Sequence, residues 1–424
     1  MPEITSVQNN QRTYRDDRGG LQMQVTSTLG LLPVKDAVVS ISYTGEPETI
    51  LEEVRTDSSG QTQIVELATP PIDYSLDPSS EVQPYSEYNI LVTASGYETV
   101  SISGTELLAA VTALQPIRMQ PVELQEEPEE VIVIPAHTLY GIYPPKIPEA
   151  EIKPMDESGE IVLSRVVVPE YVIVHDGVPT DRTAGDYYVR YRDYIKNVAS
   201  SEIYATWSEN AIYANILAIM SFTLNRVYTE WYRNQGYDFT ITSSTAYDQK
   251  WMYGRNTYEN IDSIVDTIFA NYLSRPGVRQ PIFTSYCDGR RVTCTGLSQW
   301  GSQYLGEEGY TPIEIIRYYY GSDMYINTAS SISGVPASYP GYTLSQGSSG
   351  EKVRQMQQQL NRIAQNYPAI PTITADGIYG PRTAEAVKAF QKIFNLPQTG
   401  TVDYPTWYSI SNIFVGVSRI AEPT

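Results

Sequence analysis

Histidine and cysteine are nearly missing from this chain: His137, His175, Cys287 and Cys294 are all that its 424 residues contain. Zinc amidases and peptidases draw most of their ligands from histidine, so that chemistry is disfavoured, and neither a metal nor a cofactor is expected. The two cysteines are too few for a disulfide framework, and pairing or two free thiols both remain open. Basic residues are scarce as well, 29 Lys and Arg against 49 Asp and Glu, for a formal net charge of −20. That balance argues against a nucleic-acid partner, because phosphate binding needs clustered cations, and against an anionic membrane surface. No apolar run approaches the length needed for membrane insertion. The opening MPEITSVQNNQRTYRDDRGG carries no apolar h-region, which points to synthesis without Sec-type export.

What is present divides the chain into about three domains. Residues 1–19 are polar and read as a mobile tail. Over residues 20–122 the pattern alternates: VVSISYTG sets Val39, Ile41 and Tyr43 on one face, YNILVTA does the same with Tyr88, Ile90 and Val92, and turn residues from Asp57 to Gly60 separate strands. This predicts an all-β Ig-like sandwich. Residues 123–165 are rich in Pro and Glu, so they should be extended and exposed, either a plain spacer or a stretch a protease can bind.

Residues 166–332 mix helices with separated strands, an α+β pattern. Ser208 is placed to cap ENAIYANILAIMSFTLNRVYTEWYRNQ, a helix apolar on several sides and stopped by Gly236. Asn256 and Glu259 give a capping-box-like start to TYENIDSIVDTIFANYL. A strand PIFTSY and a turn within CDGRRVTC follow, then Thr311, Pro312 and Glu314 open a helix that Gly321 closes. After a linker at 333–342, residues 343–416 read as three helices. Val353, Met356, Leu360 and Ile363 share a face of one, and Val387, Phe390 and Phe394 a face of the next.

The run from Leu344 to Leu360, then DGIYGPRTAEAVKAFQ and TGTVDYPTW, closely resembles the type-1 peptidoglycan-binding domain from end to end. The resemblance implies glycan or stem-peptide binding through Asp376, Gly377, Tyr379, Gly380, Thr383, Phe390, Gln391, Asp403 and Trp407, several of which also build the three-helix fold.

Two central stretches, NVASSEIYATWSENAIYANILAIMSFTLNR and GLSQWGSQYLGEEGYTPIEIIRYYYG, are similar to the SpoIID and LytB family of peptidoglycan lytic transglycosylases. Family members place the catalytic acid and base at the position of Glu202. The sporulation-type zinc ligands have no counterpart in TITSSTAYDQKWMYG, so no metal is implied. The leading sandwich resembles transthyretin-like domains, and the order of parts resembles the clostridial spore cortex-lytic enzymes. That likeness implies a zymogen laid down in the cortex and coat region of the bacterial spore, made in the mother cell. It also implies spore cortex peptidoglycan as substrate and an activating subtilisin-like germination protease, cutting within about residues 121–140 to release residues 20–122 as a propeptide.

The implied chemistry needs one carboxyl group. Glu202 would protonate the bridging oxygen while positive charge develops on the sugar, then take the proton of the muramic acid 6-hydroxyl, leaving a 1,6-anhydro end. An apolar setting would raise its pKa as the role demands. Tyr204, Trp207, Ser285, Tyr286, Ser298, Gln299 and Trp300 are candidates to hold the sugar. From pattern alone Glu202 also fits a helix-end carboxylate bonded to backbone or Arg. Alternatives are a muramidase with Asp248 as second acid, and a non-catalytic wall-binding coat protein. His175 reads as structural, and His137 as an inert linker residue.

Overall fold

The computed structural model describes residues 17–29, 31–122, 130–141, 143–153, 166–329, 331–333 and 339–418. Most of the expected tail, and the stretches 123–129, 154–165 and 334–338 of the two linkers, lie outside them. The first strand, Asp17–Ser27, takes in the last residues assigned to the tail.

Two sheets form the N-terminal sandwich. One orders Ile50–Arg55, Val38–Tyr43, Ser86–Thr93, Val100–Leu107 and Glu130–Val133; the other orders Thr257–Tyr258, Thr112–Met119, Asp17–Ser27 and Val65–Thr69. Alternation buries Leu21, Met23, Val25, Val39, Ile41, Tyr88, Ile90 and Val92 between them. Tyr43 shares this face, in register opposite Tyr88 and stacked 5.0 Å from it, but at the strand's end it is exposed. Both sheets borrow a strand from beyond the sandwich. Thr257–Tyr258 of the central segment pairs antiparallel with Thr112–Met119, and Glu130–Val133 of the linker pairs parallel with Val100–Leu107.

The linker is thus not exposed throughout. Ile134, His137, Thr138, Leu139, Tyr143 and Lys153 are buried, because the segment threads between the sandwich and the central helices instead of looping into water. Its far end is bound by Glu149 to Arg226, by Glu151 to Arg275, and by backbone bonds Ile147 to Ala246 and Phe283 to Glu151.

In the central part, Ser208 caps the helix Glu209–Tyr228, accepting from the Ala211 N–H at 3.3 Å. Its body from Ala211 to Arg226 is almost wholly buried and forms the axis of the domain. It ends at Tyr228, eight residues before Gly236, and Glu230 then makes a left-handed turn as Trp231 and Tyr232 fold back over Arg226. Asn256 does not cap the helix Glu259–Ile268; it exchanges hydrogen bonds of 3.1 and 2.9 Å with the Glu106 backbone of the sandwich. That helix stops at Ile268, and Asn271–Ser274 becomes a strand against Tyr325–Thr328. The Thr311–Glu314 capping box and the Gly321 terminus of the helix Pro312–Tyr320 are both present. Of PIFTSY only Tyr286 enters a strand, Tyr286–Cys287, paired parallel with Leu297–Ser298. Cys287 and Cys294 form a disulfide.

Three helices, Glu351–Asn366, Pro381–Ile393 and Tyr404–Ser418, close the chain. The last packs on the central unit through Phe269 against Tyr404 and Tyr408, at 5.6 and 5.4 Å. The sandwich also touches this unit, with the Gln61 amide donating to the Ile393 carbonyl at 2.5 Å and the Tyr367 hydroxyl to the Leu31 carbonyl at 3.0 Å. Among the described residues no helix is long and apolar enough to cross a membrane.

Candidate active site

Glu202 is the last residue of the helix Tyr191–Glu202, whose Tyr191, Tyr194, Ile195 and Val198 face the core. The chain turns extended at Ile203, which leaves the carboxyl group inside, fully buried. Oε1 accepts the Lys250 backbone N–H at 2.7 Å, and Oε2 has no hydrogen-bond partner. Burial pushes the Glu202 pKa up, opposed by the Lys146 charge, the Tyr286 hydroxyl and the Lys250 backbone. A helix C-terminus is also a poor place for negative charge, which acts in the same direction. The backbone bond matches the structural reading of this residue for one oxygen only; no Arg bonds the other.

Around the carboxyl lie groups that sequence reasoning passed over. Tyr143 and Lys146 come from the segment assigned as linker, and each feels the Glu202 charge. The Lys146 ammonium donates to the Asp248 carbonyl at 2.5 Å and stands 4.5 Å over the Tyr286 ring. Burial draws its pKa down, against the neighbouring carboxylates. Tyr286 is raised by burial and then by Glu202. The Tyr143 hydroxyl is buried without a hydrogen-bond partner, as are both amide atoms of Gln299 at the start of the helix Gln299–Glu307, while the Tyr286 hydroxyl lies against the Glu202 carboxyl. An aromatic pair with a lysine amid Pro and Glu was the single sequence signal for these linker residues.

Tyr204, Trp207 and Trp300 do meet: their ring centres lie 4.9 to 6.0 Å apart in tilted or edge-on contacts. Ser298 caps the helix Gln299–Glu307, its Oγ accepting from the Gly301 N–H. Ser285 contributes its carbonyl to the Tyr320 hydroxyl at 2.8 Å. His137, taken as an inert linker residue, is buried with its ring 4.6 Å from that of Tyr204. His175 pairs with Asp186 at 2.8 Å and stacks on Phe239. Asp248 is saturated by Arg226, the Tyr232 hydroxyl and both Thr242 donors, which leaves nothing with which to activate water.

In the C-terminal unit most of the expected binding residues hold loops together. Gln391 bonds Thr399, Thr401, Thr406 and Gly400; Thr383 and Asp376 accept from Gln357; Asp403 caps at the Thr406 N–H; Tyr379 reaches the Gly400 carbonyl. Phe390 and Trp407 are core, Gly380 precedes Pro381 at the helix start, and Gly377 takes a positive φ of 78° while donating to Gln357. Asp376 remains exposed, beside an exposed Ile378.

Residues 349–410 match the family described as "Putative peptidoglycan binding domain". The match supports peptidoglycan as a partner of this chain. The match gives the chain a cell-wall-related function and extends over its last helical unit. No curated protein matches the chain. Solved structures with partial likeness include the minor pilin GBS52 of Streptococcus agalactiae, at 16% identity and a TM-score of 0.19, covering 27% of this chain and 48% of that one. Another is the 3-chlorocatechol 1,2-dioxygenase of Rhodococcus opacus 1CP, at 9% identity and a TM-score of 0.18, covering 26% and 62%. The chain spans less than two thirds of either, and likenesses this slight carry no argument.

Proposed function

We propose that this chain is the zymogen of a spore cortex-lytic enzyme of the SleC class, cleaving the MurNAc–GlcNAc bond of cortex peptidoglycan by lytic transglycosylation during germination. The observation that carries the reading is Glu202: fully buried, pushed by that burial toward its protonated form, and with one oxygen anchored by the Lys250 N–H. Such a carboxyl can donate a proton to the glycosidic oxygen through Oε2 as the C1–O bond breaks. The oxocarbenium-like sugar is then captured by its own 6-hydroxyl, whose proton returns to Glu202, closing the 1,6-anhydro ring without a second acid. The saturated state of Asp248 favours this route over a hydrolytic muramidase.

Storage as a zymogen is supported by the packing of the sandwich on the central unit, where the Trp207 indole donates to the Ser75 carbonyl and Arg255 pairs with Glu106. A subtilisin-like protease acting within residues 121–140 fits the connection between sandwich and central unit, and the spore cortex and coat region is the matching location.

The test is mass spectrometry of fragments released from decoated spore sacculi by the folded full-length chain after cutting in that stretch, beside its Glu202→Gln form. Anhydro-muramic ends that vanish in the mutant are expected. Reducing ends would establish a muramidase, and binding without release would establish a wall-binding coat protein.

A further inference from the structure

The rings of Tyr204, Trp207 and Trp300 form one cluster in and beside the turn that follows Glu202, and polar groups of the sandwich and linker bond or stack against it. The backbone carbonyl of Ser75, in the short helix Asp73–Leu76 of the sandwich, accepts the Trp207 indole N–H at 3.0 Å. The Thr206 hydroxyl donates to the Ser75 hydroxyl at 2.7 Å. The His137 imidazole lies over Tyr204, its plane 35° from the phenol, and is itself held by the Tyr85 hydroxyl accepting its backbone N–H. At the edge, Arg290 donates to the Ser80 carbonyl at 3.2 Å and to the Glu81 carboxylate at 2.5 Å.

A flat ring on a phenol, a carbonyl on an indole N–H, a hydroxyl on a hydroxyl and a carboxylate on a guanidinium are the contacts an N-acetylated amino-sugar strand would make with the same four groups. A pyranose face stacks on aromatic rings, acetamido carbonyls and hydroxyls satisfy N–H and O–H donors, and the lactyl carboxylate pairs with Arg. We propose that Tyr204, Trp207 and Trp300, with Thr206 and Arg290 at their edge, form a glycan-strand subsite that residues 73–81 of the sandwich and His137 occupy by mimicry in the intact chain. This rests on Glu202 being the catalytic acid of the same site.

Beside the Thr257–Tyr258 strand pairing and the Asn256 hydrogen bonds to the Glu106 backbone, the sandwich is held there by one buried ion pair. Glu106, 1% exposed on its side chain, pairs with Arg255 at 2.6 Å while its second oxygen has no partner. A buried ion pair with an unsatisfied oxygen is poorly compensated for its lost hydration, so this joint contributes less than its short distance suggests. Glycan and sandwich then compete for one surface, and the apparent affinity for glycan is lowered by the fraction of chains in which the subsite is open.

The experiment uses the full-length chain carrying Glu202→Gln, so that the ligand survives, and peptide-free N-acetylated glycan strands as the probe. Hydrogen exchange of residues 73–85 is followed with and without glycan, in this chain and with Glu81→Lys added, a surface change that repels Arg290 without touching the core. Glycan is expected to speed exchange of residues 73–85, by about tenfold in the Glu81→Lys chain as the open fraction rises. Unchanged or slower exchange at saturating glycan, in both chains, overturns the proposal. Its failure is distinct from that of the catalytic reading: exchange that responds to glycan, in a protein whose cut form releases no anhydro ends, keeps the subsite and rejects the role of Glu202.

Discussion

Arg226 grips Glu149 through two hydrogen bonds of 2.6 and 2.8 Å, across a separation of 77 residues in the chain. The guanidinium is fully buried and also bonds Asp248 at 2.7 Å, so the axial helix, the loop behind it and the segment before the central domain meet at one cation. Residues 143–153 are consequently part of the central unit. A cut that frees the sandwich must fall before them.

Replacing Glu149 with Ala should therefore destabilise the central unit by about 3–5 kcal/mol, the cost of breaking a buried pair from one side. Denaturant unfolding measures it. The same geometry predicts that the folded chain cut between residues 134 and 142 keeps a cooperative transition, whereas removal of residues through Lys153 abolishes it. Equal melting of the two products would show the Glu149 strap to be dispensable.

Local signals in the sequence sufficed wherever neighbours in the chain decide the structure. The Ser208 cap, the Thr311 capping box and the faces through Met356 and Phe390 are set within a few residues, and they stand as read. What depended on distant partners was not legible. Proline and glutamate in the linker implied exposure, but Glu149 and Glu151 have buried or half-buried arginines far along the chain to meet. Asn256 had the spacing of a cap, yet the Glu106 backbone competes for its amide and wins with two bonds. Tyr143 and Lys146 reach Glu202 only because the chain doubles back over the site, which no periodicity encodes.

The Cys287–Cys294 disulfide closes a small loop that ends next to Leu297–Ser298 and the Gln299 helix. Closing a loop of this size removes denatured-state entropy equivalent to about 2–3 kcal/mol. Cys294→Ser should lower the melting temperature accordingly and reduce fragment release more than sacculus binding, because the loop leads into the candidate site. Reduction with dithiothreitol should reproduce the mutant and leave it unaffected; an additional effect of reductant on the mutant would contradict this.

Gln391 accepts the Gly400 N–H and donates to the Thr401 carbonyl, which also accepts from the Thr399 hydroxyl, from a buried position. Gln391→Leu keeps the volume and orphans the Gly400 N–H, at about 1–3 kcal/mol. Sacculus binding by the full-length chain should then fall only as the C-terminal unit melts. Weakened binding well below that transition would place Gln391 in direct contact with peptidoglycan.

Glu202 offers a pH test that needs no substrate. Its pKa is raised in the folded chain by burial, so between the unfolded value of about 4.3 and the higher folded one the native state binds more protons than the unfolded state. Stability contributed by this group is therefore full below the unfolded pKa and is lost as pH rises through the folded one. Glu202→Gln, neutral at every pH and able to keep the Lys250 N–H bond through its carbonyl oxygen, should raise the melting temperature at pH 7. The advantage should shrink to nothing near pH 4, where the native carboxyl is protonated too. A mutant that melts lower than wild type at pH 7, or a difference that does not vary with pH, would mean that the carboxylate is stabilised as an ion, and the proton it needs for catalysis would have to come from another group.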